Sequence, residues 1–142
     1  MPTSTQSNVQ YGPISLPAAE DLTDKEGRLV LVTNASGVAK VSLPNDVADR
    51  VLFVLTEGGA SGANVVLSPL TPDQQFRAFL DGACVPGDRL TLAAIDGTKD
   101  GTVRKLPAAA DDYFVFGIAE EAGADGQLVK FRPFIEGIVT VT

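Results

Sequence analysis

The apolar runs of this chain are all strand-sized. VLFVL at 51–55 is among the longest, and Gly, Pro, Asn and Asp gather in the gaps between runs. That rhythm excludes most folds. A surface helix needs apolar residues recurring at i, i+3, i+4 and i+7 over three turns or so, and few stretches here are long enough to supply them. Short β-branched runs between turn residues are the signature of strands joined by tight connections.

GRLVLVT (27–33) reads as a strand, NASG turns the chain, and VAKVSL (38–43) pairs back as a hairpin. PNDVADR (44–50) has the composition of one helical turn. RVLFVLTEGGASGANVVLSP (50–69) gives two strands around a Gly-rich tip at 57–62. The tip lacks a Lys-Ser/Thr pair and a GxGxxG spacing, so it reads as a hairpin end and not a phosphate cradle. TPDQQFRAFL (71–80) opens like a capped helix, but Phe76, Ala78 and Leu80 alternate with Gln75, Arg77 and Phe79, which favours a strand from 75 with one exposed aromatic. RLTLAAI (89–95), TVRKL (102–106) and YFVFGIAEE (113–121) follow as strands. PAAADD (107–112) makes a turn or helical stub. QLVKFRP (127–133) is a strand that Pro133 ends, and IEGIVTVT (135–142) is the last. About nine to eleven short strands at this spacing predict an all-β fold, a compact β-sandwich or barrel-like domain. No fixed-period internal repeat is apparent, and the long helices of a βαβ fold are missing.

Residues 1–20 differ from the rest. They are rich in Ser, Thr, Gln, Asn and Pro, with isolated apolar residues. They read as an extended N-terminal arm in front of a single β-rich domain at 21–142, with Val9, Tyr11, Ile14 and Leu16 as candidate anchors on a neighbour. The arm has neither the basic n-region nor the apolar core of a signal peptide, and no run is long enough to span a membrane as a helix. The expectation is a soluble protein made in a cytoplasm.

Charge and residue usage narrow the function. Eleven Lys and Arg against 18 Asp and Glu leave a net charge of −7, opposite to the footprint of a nucleic-acid binder. There is no histidine, so the usual metal ligand and general base are missing. The one cysteine, Cys84, lies in the small, apolar GACVPG, as a buried structural thiol would. DGTKDG (96–101) matches the start of a calcium loop, but Pro107 falls where a bidentate Glu should be, so a turn is expected. Asp111-Asp112 and Glu120-Glu121 are adjacent pairs, and adjacent strand residues face opposite sides, so neither doublet is itself a catalytic pair. No serine has a histidine base or a G-x-S-x-G elbow. No catalytic residue, cofactor site or metal site is expected.

The stretches DGACVPGDRLTLAA (81–94) and GTVRKLPAAADDYFVFGIAEEAGADGQLVKFRP (101–133) resemble the head decoration, or capsid cement, proteins of tailed bacteriophages. The shared features are a Gly-Asp pair feeding an apolar strand (Gly87, Asp88, Leu90, Leu92), a Pro-Ala-rich turn, GIAEE, and DGQLVKFRP. The resemblance is weaker over 20–74. It implies a small β-rich protein of the virion exterior that binds the major capsid protein, assembles as a homotrimer and stabilises the shell, with no enzymatic activity, no nucleic-acid partner and no membrane. The alternative from the residues alone is a β-sandwich carbohydrate-binding or adhesin-type module, with Tyr11, Tyr113 and Phe79 as its candidate exposed aromatics.

Overall fold

A computed structural model describes residues 12–142. Among these the regular structure is entirely β. The first half contributes β1 (Ile14–Pro17), β2 (Leu29–Ala35), β3 (Val38–Ser42), β4 (Phe53–Glu57) and β5 (Asn64–Pro69). The second contributes β6 (Phe76–Phe79), β7 (Arg89–Leu92), β8 (Val103–Lys105), β9 (Asp111–Ala119) and β10 (Leu128–Val141). They form two five-stranded sheets, ordered β1-β5-β4-β2-β3 and β6-β10-β9-β7-β8, and every named strand pair is antiparallel.

The two orders are the same wiring used twice. The register repeats as well. Ile14 opposite Leu67 becomes Phe76 opposite Phe131, Leu29 opposite Val54 becomes Arg89 opposite Ile118, and Phe53 opposite Pro69 becomes Gly117 opposite Pro133. Each sheet curls until the residue after its first strand meets its third strand in a parallel bridge, Ala18 with Val41 and Leu80 with Val103. The hydrogen bonds at that seam match: Ala19 N–H donates to Val41 O at 2.7 Å, and Asp81 N–H to Val103 O at 2.8 Å. The chain is thus a tandem pair of small, nearly closed barrels, 14–69 and 76–133. The fold is thus duplicated, although the sequence carries no repeat of fixed period.

Few side chains carry the duplication. GANVVLSP (62–69) and GQLVKFRP (126–133) keep only Gly, Val and Pro in place. The glycines are fixed by the backbone. Gly62 and Gly126 have φ of 84° and 79°, a region that L side chains enter at a cost, and their N–H groups donate to Ala18 O and Leu80 O. Val65 and Val129 are fully buried, as are Leu67 and Phe131. Cys84 takes the place of Leu22: Leu22 N–H donates to Gly59 O, and Cys84 N–H to Gly123 O. The thiol is buried where the sister barrel has leucine, and that burial raises its pKa.

The barrels share apolar contact. Val30, Val41, Leu55, Val65 and Leu67 fill the first. The second is filled around Phe114, Phe116 and Phe131, and Leu29, Val51 and Val54 of the first half join that cluster. Phe116 meets Phe131 edge-on at 5.7 Å between centroids. Each fully buried phenylalanine contributes about 1.5–3 kcal/mol by burial alone.

Three local expectations give way. First, the strand structure begins at Ile14, inside the span read as an arm, because 14–17 pair with β5 and cap the first barrel. Second, PNDVADR makes no helical turn. Asp49 N–H donates to Asp46 O at 3.1 Å, closing a single tight turn, and the Asp49 and Asp46 carboxylates hold that turn by accepting from the amides of Asn45, Asp46 and Ala48. Third, Pro133 does not end its strand, and β10 runs on to Val141. Lys130 O accepts from Glu120 N–H, so Lys130 and Arg132 turn their backbone groups to β9 while Phe131 and Pro133 turn theirs to the β6 side. β6 pairs with β10 only over Leu128–Phe131, so the missing proline N–H costs no ladder bond.

Candidate interaction surface

Of the four candidate anchors, Val9 and Tyr11 lie outside the described residues. Ile14 and Leu16 sit on β1, half-buried, against the core of their own first barrel. The two described anchors therefore pack on their own barrel.

The polar constellations are consumed by the fold. In DGTKDG, Asp96 Oδ1 accepts from the amides of Thr98 and Lys99, each at 2.8 Å, and from the Thr98 hydroxyl. Asp100 Oδ1 accepts from the amides of Asp96 and Gly97. The Arg28 guanidinium donates to the carbonyls of Thr98 and Asp100, so a cationic side chain already sits where a calcium ion would need oxygens. The Lys99 and Thr98 amides and the Thr98 hydroxyl hold the Asp96 carboxyl down to about 2, from an ordinary 3.8. A carboxylate lowered in the folded state stabilises fully above its unfolded pKa, and loses that contribution as pH falls through the folded value. Asp96 is expected to keep its charge through the pH range in which ordinary aspartates protonate and to titrate near 2. Carboxyl-carbon NMR reads this directly, and a midpoint near 3.8 would show that the loop's amides do not hold it.

The acidic doublets are also engaged. Gln75 Nε2 donates to Glu120 at 3.0 Å, and Arg132 Nε lies 3.2 Å from the same carboxylate, which lowers the Glu120 pKa. Arg132 also donates to Pro72 O, so this cluster fastens the linker between the barrels to β10. Glu121 accepts from Lys130 N–H and pairs with Arg77 at 3.6 Å. Asp111 and Asp112 begin β9, both exposed, and Asp112 accepts from the Thr140 hydroxyl. Among the described residues no three His, Cys, Asp or Glu side chains group as a metal site.

The aromatic platform reading loses a member. Tyr113 is only 3% exposed. Its hydroxyl donates to Ala109 O and its ring lies under the Arg104 guanidinium, 5.7 Å from the centroid. Phe79 is half-buried. It lines an open groove of about 550 Å³ between the barrels, with Phe76, Leu128, Arg77, Asp24 and Glu26.

The feature that the sequence reading missed is the end of β10. Phe134, Ile135 and Ile138 are 55%, 48% and 41% exposed, and they follow one another on one strand. In the first barrel the equivalent strand stops at Pro69. In the second it runs eight residues past Pro133, pairing with Asp111–Val115 of β9 after a register shift between Pro133 and Gly137. The first barrel closes without such a tail, so the tail is surplus to barrel closure. A sequence signal existed: FIEGIVTVT has no basic residue and no acid after Glu136. An apolar strand of this kind reads equally well as core.

No protein-family model matches the sequence, and no curated protein matches it. Among solved structures the chain is similar to the head fiber gp8.5 N base of bacteriophage phi29. The TM-score is 0.65 and the identity 19%, over 86% of this chain and 92% of that one. The likeness extends over nearly the whole of both chains and is one of fold.

Proposed function

We propose that this chain is a structural component of a bacteriophage head, a decoration protein that binds the outer surface of the shell as a trimer and stabilises it. The observation that carries the reading is the fold shared with the phi29 head fiber base along nearly its full length. The sequence resemblance over 81–94 and 101–133 supports it independently. The physical character of the molecule fits. Several of its carboxylates hold turns and strand ends, and three of its exposed large apolar side chains, Phe134, Ile135 and Ile138, follow one another on the β10 tail, as suits a protein that works by contact. Cyclic assembly would let one modest contact be used three times, so that weak grips on a lattice add to strong attachment. The proposal gives the chain no catalytic step, and its partners are the major capsid protein and further copies of itself.

The test is binding to heads that lack this protein. Purified chain at micromolar concentration is expected to co-sediment with them and to raise the temperature at which they release their genome. Heads that remain bare, with unchanged heat resistance, would remove the basis of the reading. Burial of Tyr113 counts against the glycan-binding alternative.

A further inference from the structure

The tail of β10 has an open side. Phe114, opposite Ile138, turns its N–H to Val47 O and away from β10. Ile138 and Thr140 therefore turn their own backbone donors and acceptors outward, where no described strand pairs with them. Natural edge strands are commonly guarded by lysine, proline or an inward charge. From Gly137 to Thr142 this one carries no charged side chain and no proline. Such an edge accepts another strand readily, with main-chain hydrogen bonds supplying affinity and alternate side chains supplying fit.

The chain holds a segment suited to it. Residues 1–11 contain no charged side chain, and Val9 and Tyr11 alternate with polar neighbours, the pattern of a strand with one apolar face. Residues 2–11, when extended, reach about 33 Å, enough to run the whole unguarded edge from Gly137 to Thr142, about 20 Å at the same rise per residue. The segment joins the body at Gly12, which lines a small hollow with Pro69 and Thr71 at the exit of the first barrel. The tail belongs to the second barrel. The arm of one copy therefore starts from the barrel that has no tail.

We infer that the outer edge of β10 beyond Pro133 receives residues 2–11 of a second copy of this chain as an added strand. Each copy gives an arm and takes one, a head-to-tail contact that closes into a ring if the rotation allows it. The inference rests on the self-association part of the proposed function and is independent of the shell.

The experiment uses free protein in three forms: the full chain, a deletion of residues 2–11, and Ile138→Lys, which places a charge on the edge. Sedimentation equilibrium gives the mass, hydrogen exchange gives protection at Ile138 and Thr140, and circular dichroism checks that each form is folded. The full chain is expected at a multiple of 14.8 kDa, with these two amides protected more strongly as concentration rises. Both altered forms are expected at 14.8 kDa, folded, with at least tenfold faster exchange there. A full chain that stays at 14.8 kDa at every concentration overturns the inference. So does a deletion that keeps the larger mass, or one that loses protection with no change in mass, since the last places each arm on its own edge. A chain that binds heads yet never self-associates defeats this contact and leaves shell binding standing. One that self-associates and ignores heads does the reverse.

Discussion

Phe131→Ala is expected to cost about 3–5 kcal/mol and to lower Tm by about 10–20 °C. Phe131 is fully buried at the centre of the second barrel, 5.7 Å from Phe116 and 6.2 Å from Phe76 between ring centroids. Truncation leaves a hole walled by two rings that cannot both move in. The matched substitution, Leu67→Ala, removes the equivalent residue of the first barrel, at about 2–5 kcal/mol. Leu29, Val51 and Val54 of the first half belong to the second barrel's core, so calorimetry should show a single transition for both variants. Two separated transitions for Phe131→Ala would mean that the barrels unfold independently, and a loss below about 1 kcal/mol would mean that the site collapses around the hole.

Gly101→Ala is the second large effect. The loop at 96–101 reaches from the second half to the first, where Gly101 O accepts from Leu29 N–H at 2.7 Å. Gly101 has φ of 85°, and a Cβ there would stand 2.6 Å from Leu29 O. The left-handed backbone costs an alanine about 1–2 kcal/mol. The overlap is with backbone, which no rotamer change relieves, and brings the total to about 3 kcal/mol or more. Gly97→Ala separates the two causes: its φ is 82°, and nothing lies within 4 Å of the added carbon. Chemical denaturation of both variants should show Gly101→Ala losing at least twice as much, and equal losses would refute the contact.

Much of the architecture was legible because turn residues and apolar alternation act locally. The hairpin 29–42, the glycine-rich tip and the strand 89–92 stand close to where their residues put them. The duplication was not legible. Barrel wiring asks only for a buried apolar residue here and a glycine there, and those demands are met by Leu67 in one half and Phe131 in the other, or by Leu22 and Cys84. Loop lengths differ as well: six residues span Leu22 to Gly27, where Cys84 to Gly87 takes four. No fixed spacing survives that change. Pro133 misled for a different reason. Its effect depends on which neighbour its nitrogen faces, and pairing with β6 that ends at Phe131 is a tertiary fact. The tail's exposure was hidden in a similar way, since an apolar strand carries no mark of whether something lies on top of it.

Residues 70–75, which join the barrels, are only their covalent link. Each barrel closes its own seam, Ala18 on Val41 and Leu80 on Val103, yet Leu29 N–H reaches Gly101 O, Phe79 N–H reaches Gly27 O and Phe114 N–H reaches Val47 O. A load applied to one duplicate is therefore carried by both, and neither can be exchanged without rewiring the other.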